Sequence, residues 1–511
     1  MDQNRRRKKK QKLNPESQFR ADLDQCSRNK DLSGAVTLYS SSPSQTLSLN
    51  NLNSLLYICS NSISSEPETR KIGIEFGFKL FHHHQSIENF KPNEATLAAV
   101  ARLAAASGDG DYAFELAKGV ESPKVRTYAP ALVCFSEKGE AEKAYQVEDH
   151  VLSVGLHLEE SELAALLKVS VETGREKKVY EYLHKLREEA SRGVKESTLE
   201  IVESWFRGTK AHEVAAAVLQ DTTVIKEAMT RNGGGWHGLG WIGKGEWVLK
   251  RTNIGSDGNC CMCGHNLVCV DLGKTETEKF ADSIASLAME REVHAKFKEF
   301  QDWLGQHSGF ETIVDAANVG LYQQNFKEGG FSTAQLEAIV KEVHAKTDKW
   351  PLVVLHTRRT QSLVSKSKMI QEWVDQGILY ETPIRSNDDW YWLYAAVKLK
   401  GWLVTNDEMR DHIFELLGSN FSFSRWKEKH QVRYTFLSRS CTPKLIMPHS
   451  YSWVIQESEN GSWHIPLAAG DQSSDEECSR RWLCVTRRQV SCETQEVLKR
   501  CVNMGKEGLL G

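Results

Sequence analysis

The sequence lacks the features of a membrane or secreted protein. No apolar run approaches the ~18 residues needed to span a bilayer, and the N-terminus has no apolar core of the kind found in secretory signals. Its cations form one block, unlike the amphipathic spread of a transit peptide. The 12 cysteines are therefore interpreted in a reducing compartment, where most are small buried residues and only a tight cluster indicates a metal.

The chain also lacks an overall positive charge and any phosphate-binding loop. Its net charge is −3, so binding of nucleic acid must come from local patches. No glycine-rich loop of the P-loop or dinucleotide type and no serine nucleophile elbow is present, which disfavours NTPases, dehydrogenases and α/β-hydrolases. One patch stands out, because residues 5–12 carry seven cations in eight positions. It predicts a disordered basic tail over 1–14, serving nuclear import or nucleic-acid binding, with a solvated tail of no function as the alternative.

The 511 residues are too many for one hydrophobic core, and the first part of the chain repeats. Short turns recur, 35 residues apart between Gly139 and Gly174, and each is followed five residues later by a small or apolar residue. The turn positions are Lys30, Gly108, Gly139 and Gly174, and the residues that follow are Ala35, Ala113, Ala144 and Val179. This period predicts a helical solenoid over 15–210. Segments such as "VRTYAPALVCFSEKGEAEKAYQV" resemble pentatricopeptide repeats, which bind RNA, and a protein-binding solenoid is the alternative.

A glycine- and tryptophan-rich segment after Arg231 carries half of a zinc site. Cys260 and Cys263 lie three residues apart, so one turn presents both sulfurs to one ion, and Gly264 follows where the chain reverses. The remaining ligands are assigned to His464 in "SWHIP" and Cys484 in "RRWLCVTR". A closed Cys₃His site of this kind stabilises a fold and does no chemistry. The rival ligands are Cys261, His265 and Cys269, and free thiols are the alternative.

Strands and helices alternate between 310 and 437, which predicts a parallel sheet with helices on both faces. Asp315 ends the first predicted strand, "FETIV" with the following Asp, and Asp407 ends the fourth, "WLVTND". Asp388 and Asp389 begin the helix "DDWYWLYAAVKLKG", whose predicted buried stripe is Trp390, Leu393 and Val397. A further helix is predicted over 408–418. All four aspartates therefore lie at the carboxyl edge of the sheet, where such folds bind ligands.

Four carboxylates without a neighbouring cation in their motifs predict a site for a hard divalent ion, Mg²⁺ or Mn²⁺. Such a site activates water for hydrolysis of a phosphodiester. Taken singly, Asp388 or Asp389 could instead be a helix N-terminal acid that interacts with the macrodipole, and Asp407 could cap the following helix. His356, Arg358 and Arg359 follow the second strand and could hold phosphate, although a solvated loop is the favoured interpretation.

The motifs "IVDAANVGLY", "SNDDWYWLYAAV" and "VTNDEMRDH", in this order, resemble the nuclease domain of protein-only RNase P, a branch of the PIN-like NYN nucleases. The repeats and the split zinc site resemble the other two domains of that family, and the basic tail resembles its nuclear plant members. The resemblance implies a Mg²⁺-dependent endonuclease that removes the 5′ leader of precursor tRNA, leaving a 5′ phosphate on the tRNA and a 3′ hydroxyl on the leader. It assigns the catalytic, metal-binding roles to Asp315, Asp388, Asp389 and Asp407, and the structural zinc to Cys260, Cys263, His464 and Cys484.

The resulting domain prediction is a basic tail at 1–14, the repeats at 15–210, a split zinc-binding domain at 230–285 and 440–511, and the nuclease at 286–439. The expected partner is precursor tRNA, held at its elbow by the repeats, with no RNA subunit and no membrane. A nuclear monomer is expected. Two other hypotheses stay open: a nuclease for other RNAs, and a non-catalytic RNA-binding scaffold.

Overall fold

A computed structural model describes residues 15–42, 47–189, 193–214, 221–291, 297–324, 330–364, 368–409, 420–437, 442–468 and 481–487. The basic block 5–12 and most of the helix predicted over 408–418 lie outside these residues. The chain divides into two compact units, Met1–Leu186 with Glu200–Trp205, and Arg187–Leu199 with Phe206–Gly511. Among the described helices, none combines the length and the apolar character that crossing a membrane requires.

The N-terminal part of the chain is helical throughout its described residues. Its helices are α1 Pro15–Asn29, α2 Leu32–Ser40, α3 Leu49–Asn61, α4 Pro67–Gln85, α5 Glu94–Ala106, α6 Gly110–Lys118, α7 Val125–Glu137, α8 Ala141–Ser153, α9 Glu160–Glu172, α10 Glu176–Glu189 and α11 Glu196–Arg207.

The turns that define the predicted repeat share one backbone conformation. Lys30, Gly108, Gly139 and Gly174 all have left-handed φ angles, of 54°, 86°, 71° and 65°. A Cβ at Gly139 would meet no atom within 4 Å, so the backbone conformation, and not a lack of space, favours glycine there. The four residues placed five positions later, Ala35, Ala113, Ala144 and Val179, are fully buried. The predicted helix–turn–helix solenoid is confirmed.

The second unit contains a six-stranded sheet flanked by helices. The sheet order is β4-β3-β2-β5-β6-β7, and all neighbours are parallel except β6 and β7. Its strands are β2 Thr312–Asp315, β3 Leu352–His356, β4 Leu379–Thr382, β5 Trp402–Val404, β6 Gln431–Leu437 and β7 Thr442–Ile446. Its helices are α14 Lys274–Arg291, α15 Phe297–Gln306, α16 Ala316–Leu321, α17 Thr333–Thr347, α18 Thr357–Val364, α19 Lys368–Asp375, α20 Asp388–Leu399 and α21 Asn420–His430.

Two apolar layers hold this sheet. One contains residues of α14, α15 and α20, including Phe280, Phe300 and Trp390, and the other contains residues of α16, α17 and α19. Helices therefore cover both faces, as predicted. Helix α20 differs from its predicted one-sided stripe, because Tyr391 and Trp392 are fully buried too. The ring of Phe297 in α15 lies 5.1 Å from that of Tyr391, so α15 covers a side of α20 that sequence periodicity assigned to solvent.

The segment after β3 also differs from its prediction. Helix α18 begins at Thr357, directly after the strand. Arg358 and Arg359 therefore lie in the first turn of a helix, and the interpretation of these residues as a loop was wrong.

A second, antiparallel sheet carries the predicted zinc ligands. Its order is β1-β10-β9-β8, with strands β1 Trp247–Thr252, β8 Gln456–Glu457, β9 Trp463–Pro466 and β10 Trp482–Arg487. The short helices α12 Thr209–Glu213 and α13 Thr222–Arg231 precede it. Cys484 of β10 is paired directly with His464 of β9. This register places the two distant residues side by side, as adjacent strands lie ~5 Å apart.

Candidate active site and metal-binding cluster

Asp315 ends β2 and is held on both of its carboxylate oxygens. Oδ1 accepts a hydrogen bond from the backbone N–H of Asn318 at 3.1 Å, and Oδ2 accepts one from the Thr405 hydroxyl at 2.8 Å. Burial, together with the charges of Asp389 and Asp388, raises the pKa of Asp315 to about 7 in spite of these two hydrogen bonds. The carboxylate is thus fixed in position, in an environment that disfavours its charge.

Asp388 and Asp389 are the first two residues of α20, but neither is needed to cap the helix. Asn387 is the N-cap, and its side-chain oxygen accepts a hydrogen bond from the Asp389 N–H at 3.0 Å. Asp388 accepts a hydrogen bond from the Thr382 hydroxyl at 3.0 Å. Burial raises the pKa of Asp388, and burial together with the charge of Asp407 raises the pKa of Asp389 to about 6. Both acids stand in the first turn of α20, so the alternative of an interaction with the helix macrodipole stays open for them.

Asp407 lies in a loop and not at the end of a strand, since β5 ends at Val404. Its Oδ1 accepts a hydrogen bond from the Met409 N–H at 2.8 Å, and Met409 has a left-handed φ of 50°. The parallel strand β5 still brings the segment to the predicted edge, where the charge of Asp407 acts on Asp389. The predicted location of Asp407 at this edge is right, but its assignment to a strand was wrong. The pairing of β5 with β6 stops at Val404, three residues before Asp407.

The Asp407 loop is fixed by β6 and by the end of α21. The side-chain amide of Gln431 donates to the carbonyls of Thr405 and Asp407, at 3.0 and 2.9 Å. Glu408 forms ion pairs with Arg433 at 2.7 Å and with Lys427 at 3.5 Å. The hydrogen bond from Arg433 lowers the pKa of Glu408 to about 2. This acid is therefore neutralised by cations, in contrast to its neighbour Asp407.

None of the four aspartates forms an ion pair among the described residues of the chain. Asp315, Asp388 and Asp389 line a cavity of about 820 Å³. No three of the aspartates bring their oxygens within 4.8 Å of one another; in the described part of the chain only the cluster of Cys260, Cys263, His464 and Cys484 is that compact. The aspartate oxygens are therefore spaced more widely than the ligands of a closed site. Mg²⁺ fits such a set, since it keeps several of its waters and takes only one or two carboxylates directly.

The predicted zinc ligands form one cluster. The ligand atoms of Cys260, Cys263, His464 and Cys484 all lie within 4.8 Å of one another, and the Cys263 sulfur is 3.3 Å from Nε2 of His464. A tetrahedral zinc with bonds of ~2.0–2.3 Å requires separations of this order. Hydrogen bonds from Cys263 and then Cys484 hold the pKa of the Cys260 thiol far below its ordinary value, which supplies a thiolate to a cation.

The three rival ligands lie outside that cluster. Cys261 is exposed, and Cys269 accepts a hydrogen bond from the Ser452 hydroxyl at 3.7 Å. The ring of His265 stacks on His464, with centroids 5.5 Å apart.

Sequence reasoning missed the residues that support the acids. Asn318 accepts hydrogen bonds from the Asn406 N–H at 2.9 Å and the Tyr434 hydroxyl at 2.6 Å, and so joins α16 to the loop after β5 and to β6. Asn318 and Thr405 stand inside the motifs "VDAANVG" and "VTND", so a polar residue near each acid was the available signal. Gln431 gave none, because it is an isolated polar residue at the start of a strand.

Comparison with known proteins agrees with this geometry. The family model "Pentacotripeptide-repeat region of PRORP" matches residues 5–213, and the model "Protein-only RNase P" matches residues 254–484. The chain is 50% identical to proteinaceous RNase P 2 of Arabidopsis thaliana over 506 residues, covering 95% of this chain and 94% of the relative. This chain belongs to the protein-only RNase P family.

Further relatives support the assignment to protein-only RNase P. Proteinaceous RNase P 1 of Arabidopsis thaliana, described as chloroplastic/mitochondrial, is 42% identical over 496 residues, covering 95% of this chain and 85% of the relative. The crystal structure of the nuclear proteinaceous RNase P 2 from A. thaliana superposes with a TM-score of 0.78 at 51% identity, covering 93% of this chain and all of that one. The family and the fold predicted from the sequence are confirmed.

Proposed function

We propose that this protein is an endoribonuclease that removes the 5′ leader of precursor tRNA. The observation that carries the proposal is the cavity at the carboxyl edge of the parallel sheet, which Asp315, Asp388 and Asp389 line together. None of the three forms an ion pair within 4.0 Å among the described residues, and burial raises the pKa of each. Membership of the protein-only RNase P family supplies the substrate class. The reaction hydrolyses one phosphodiester and leaves a 5′ phosphate on the tRNA and a 3′ hydroxyl on the leader.

Asp315, Asp388, Asp389 and Asp407 are the proposed catalytic residues and the proposed ligands of Mg²⁺ or Mn²⁺. When bound, such an ion lowers the pKa of water and offsets negative charge on the phosphate. Hydrogen bonds from Thr405 and Thr382 keep Asp315 and Asp388 in place before substrate arrives. A bound cation would favour the ionised forms of Asp315 and Asp389, so its binding would be coupled to proton release.

Cys260, Cys263, His464 and Cys484 are proposed to bind structural Zn²⁺. All four protein ligands are present, so the site has no open position for a substrate. The ion would join the turn at Cys260–Cys263 to strands β9 and β10, and His464 of β9 lies 201 residues after Cys263.

The repeats are proposed to bind the elbow of the tRNA, and the protein to act as a monomer without an RNA subunit. Nuclear localisation, through the basic block 5–12, is proposed because the similar A. thaliana structure is described as nuclear. We propose the domains as 1–14, 15–210, 230–285 with 440–511, and 286–439. The packing of α14 and the pairing of β7 with β6 would extend the nuclease segment to about 272–446.

The test is cleavage of a leader-bearing tRNA transcript in Mg²⁺, compared with EDTA and with the variant Asp388→Ala/Asp389→Ala. Asp302→Asn is the matched control, since this exposed acid pairs with Lys298 outside the cavity. The proposal predicts one cut at the 5′ end of the tRNA that needs Mg²⁺ and both aspartates. Cleavage of other RNAs alone would support a different nuclease, and tight binding without any cleavage would support the scaffold.

A further inference from the structure

The catalytic cavity is acidic on one side and basic on the other. Four cationic or imidazole side chains line it beside the aspartates. They are called the basic rim and comprise His356, Arg358, Arg359 and Arg385. His356 ends β3, Arg358 and Arg359 begin α18, and Arg385 lies in the loop between β4 and α20. Since the sheet order is β4-β3-β2-β5, the basic rim lies on the β3–β4 side, away from Asp407.

The basic rim divides into inner and outer groups. Arg359 and His356 lie close enough to Asp388 to lower its pKa, against the effect of burial. Arg358 and Arg385 are exposed. Among the described residues, no ion pair within 4.0 Å neutralises any of the three arginines; the guanidinium of Arg359 lies 5.9 Å from the ring centroid of Phe331. Other cations near the active site are engaged, as Arg433 and Lys427 are by Glu408. Three arginines on a cavity wall suit phosphate oxygens, which guanidinium groups bind in a bidentate manner.

The backbone at Arg385 is unfavourable for any residue with a side chain. Its φ is 73°, in the left-handed region where glycine is preferred. The turn is held by Ser386, whose N–H and hydroxyl both donate to the Pro383 carbonyl, at 3.1 and 2.7 Å. Glycine would satisfy this backbone without strain, so the turn itself does not require arginine. The side chain, placed on the cavity wall, supplies the reason for an arginine.

His356 is oriented as a hydrogen-bond donor. Its Nδ1 accepts a hydrogen bond from the Arg358 backbone N–H at 3.1 Å. This assigns the ring proton to Nε2, which is free to face the cavity. A second proton on Nδ1 would collide with the Arg358 N–H, so the ring suits hydrogen bonding to a phosphate oxygen and not proton transfer.

We propose that the basic rim binds the RNA phosphates flanking the scissile bond, with Arg358 and Arg385 as the outer contacts and Arg359 and His356 as the inner ones. This inference rests on the proposed nuclease function. It explains how a polyanion enters a cavity lined by three carboxylates, of which Asp315 is buried and Asp388 and Asp389 are half-buried. The acids act on the scissile phosphate, while the basic rim offsets the repulsion between these acids and the neighbouring phosphates of the RNA.

The first test measures kcat/KM for leader-bearing transcript over a range of salt concentrations. Arg358→Ala and Arg385→Ala should each lower kcat/KM about 10-fold, as expected for the loss of one charge-assisted hydrogen bond, and should reduce the salt slope by about 1. The control is Lys341→Ala, which removes a cation of the same domain that pairs with Glu337 at 2.6 Å outside the cavity. If the arginine variants behave like Lys341→Ala, the proposal is overturned.

Arg385→Gly separates the side chain from the backbone. It should raise the melting temperature slightly, because it relieves the left-handed strain, and yet reduce kcat/KM as much as Arg385→Ala. A variant that gains stability and keeps full activity would show that the arginine has no role in binding RNA.

The second test identifies the phosphates. Substrates carry a single uncharged methylphosphonate at each position flanking the cleavage site. At a phosphate bound by Arg358 or Arg385, the methylphosphonate and the alanine substitution should be non-additive, since each removes the same contact. Strict additivity at every position would refute the contact. Equilibrium binding of the same RNAs is measured in parallel, so the basic rim is tested even if no transcript is cleaved.

The third test concerns His356. His356→Ala should lower kcat/KM, and His356→Gln should recover part of it because an amide can donate to the same oxygen. The shape of the pH–rate profile should be unchanged in both variants. Loss of one limb of the profile would identify His356 as a proton donor and overturn the assignment made here.

Discussion

Gln431→Ala should weaken the binding of the catalytic cation without touching it. Among the described residues, the Gln431 amide donates to the backbone carbonyls of Thr405 and Asp407, and neither hydrogen bond involves an aspartate side chain. Gln431 does not line the cavity. Its side chain is only 7% exposed, so water replaces these bonds poorly. The substitution therefore releases the loop that carries one proposed metal ligand.

The magnitude follows from the two lost hydrogen bonds. At ~1 kcal/mol each, they hold the loop in place by about 2 kcal/mol. This corresponds to a change of roughly 30-fold in the ratio of correctly placed to displaced Asp407. The Mg²⁺ concentration at half-maximal activity can therefore rise by at most about the same factor. We expect an increase of at least about 5-fold, with kcat at saturating Mg²⁺ largely retained.

The assay is single-turnover cleavage as a function of Mg²⁺ concentration, together with the melting temperature. Gln456→Ala is the matched control, because Gln456 is buried and also donates to two backbone carbonyls, those of Val268 and Ser452, in the other sheet. Both variants should lose stability, but only Gln431→Ala should shift the Mg²⁺ dependence. Equal Mg²⁺ curves for the two variants would refute the reasoning.

Three further predictions concern pH and metals. Burial raises the pKa of Asp315 from 3.8 to about 7, so the folded, metal-free protein binds more protons than the unfolded chain between these values. Its unfolding free energy in EDTA should therefore fall by about 3 kcal/mol from pH 4 to 7, and a flat profile would contradict this. Asp389→Asn should abolish cleavage but raise the melting temperature in EDTA at pH 8 by roughly 3 °C or more. The reason is that it removes a carboxylate whose charge is disfavoured by burial and by Asp407. A lower melting temperature would argue against repulsion among the acids. Cys260→Ser should lose zinc and lower the melting temperature by on the order of 10 °C. The control Cys261→Ser, at an exposed cysteine, should keep its zinc and its melting temperature. Unchanged zinc content in Cys260→Ser would refute the ligand set.

Sequence periodicity predicted the layers of this protein but not the contacts between distant segments. The repeat was readable because each turn needs a left-handed residue and each unit a small one at the same offset, as at Gly139 and Ala144. The convergence of Asp315 and Asp388 followed from strand–helix alternation, which places strand ends at one edge. His464 and Cys484 could be proposed as ligands from their residue types alone. That they lie side by side depends on the register between β9 and β10, which no local feature of the sequence reveals.

The errors have physical causes of the same kind. Burial of Tyr391 and Trp392 comes from α15, an element far away in sequence, and no periodicity within α20 could reveal it. The strand before Asp407 ends early because its partner β6 pairs only with Leu403 and Val404. Arg358 was assigned to a loop because the apolar pattern of α18 starts later than the helix itself.

The most direct measurement of the central claim is an anomalous difference map of crystals grown in Mn²⁺. The account predicts Mn²⁺ density about 2.0–2.2 Å from carboxylate oxygens of the set Asp315, Asp388, Asp389 and Asp407, absent in Asp388→Ala/Asp389→Ala, with a separate zinc signal between Cys260 and His464 in both crystals. Mn²⁺ density elsewhere on the protein, with none at these four aspartates, would contradict it.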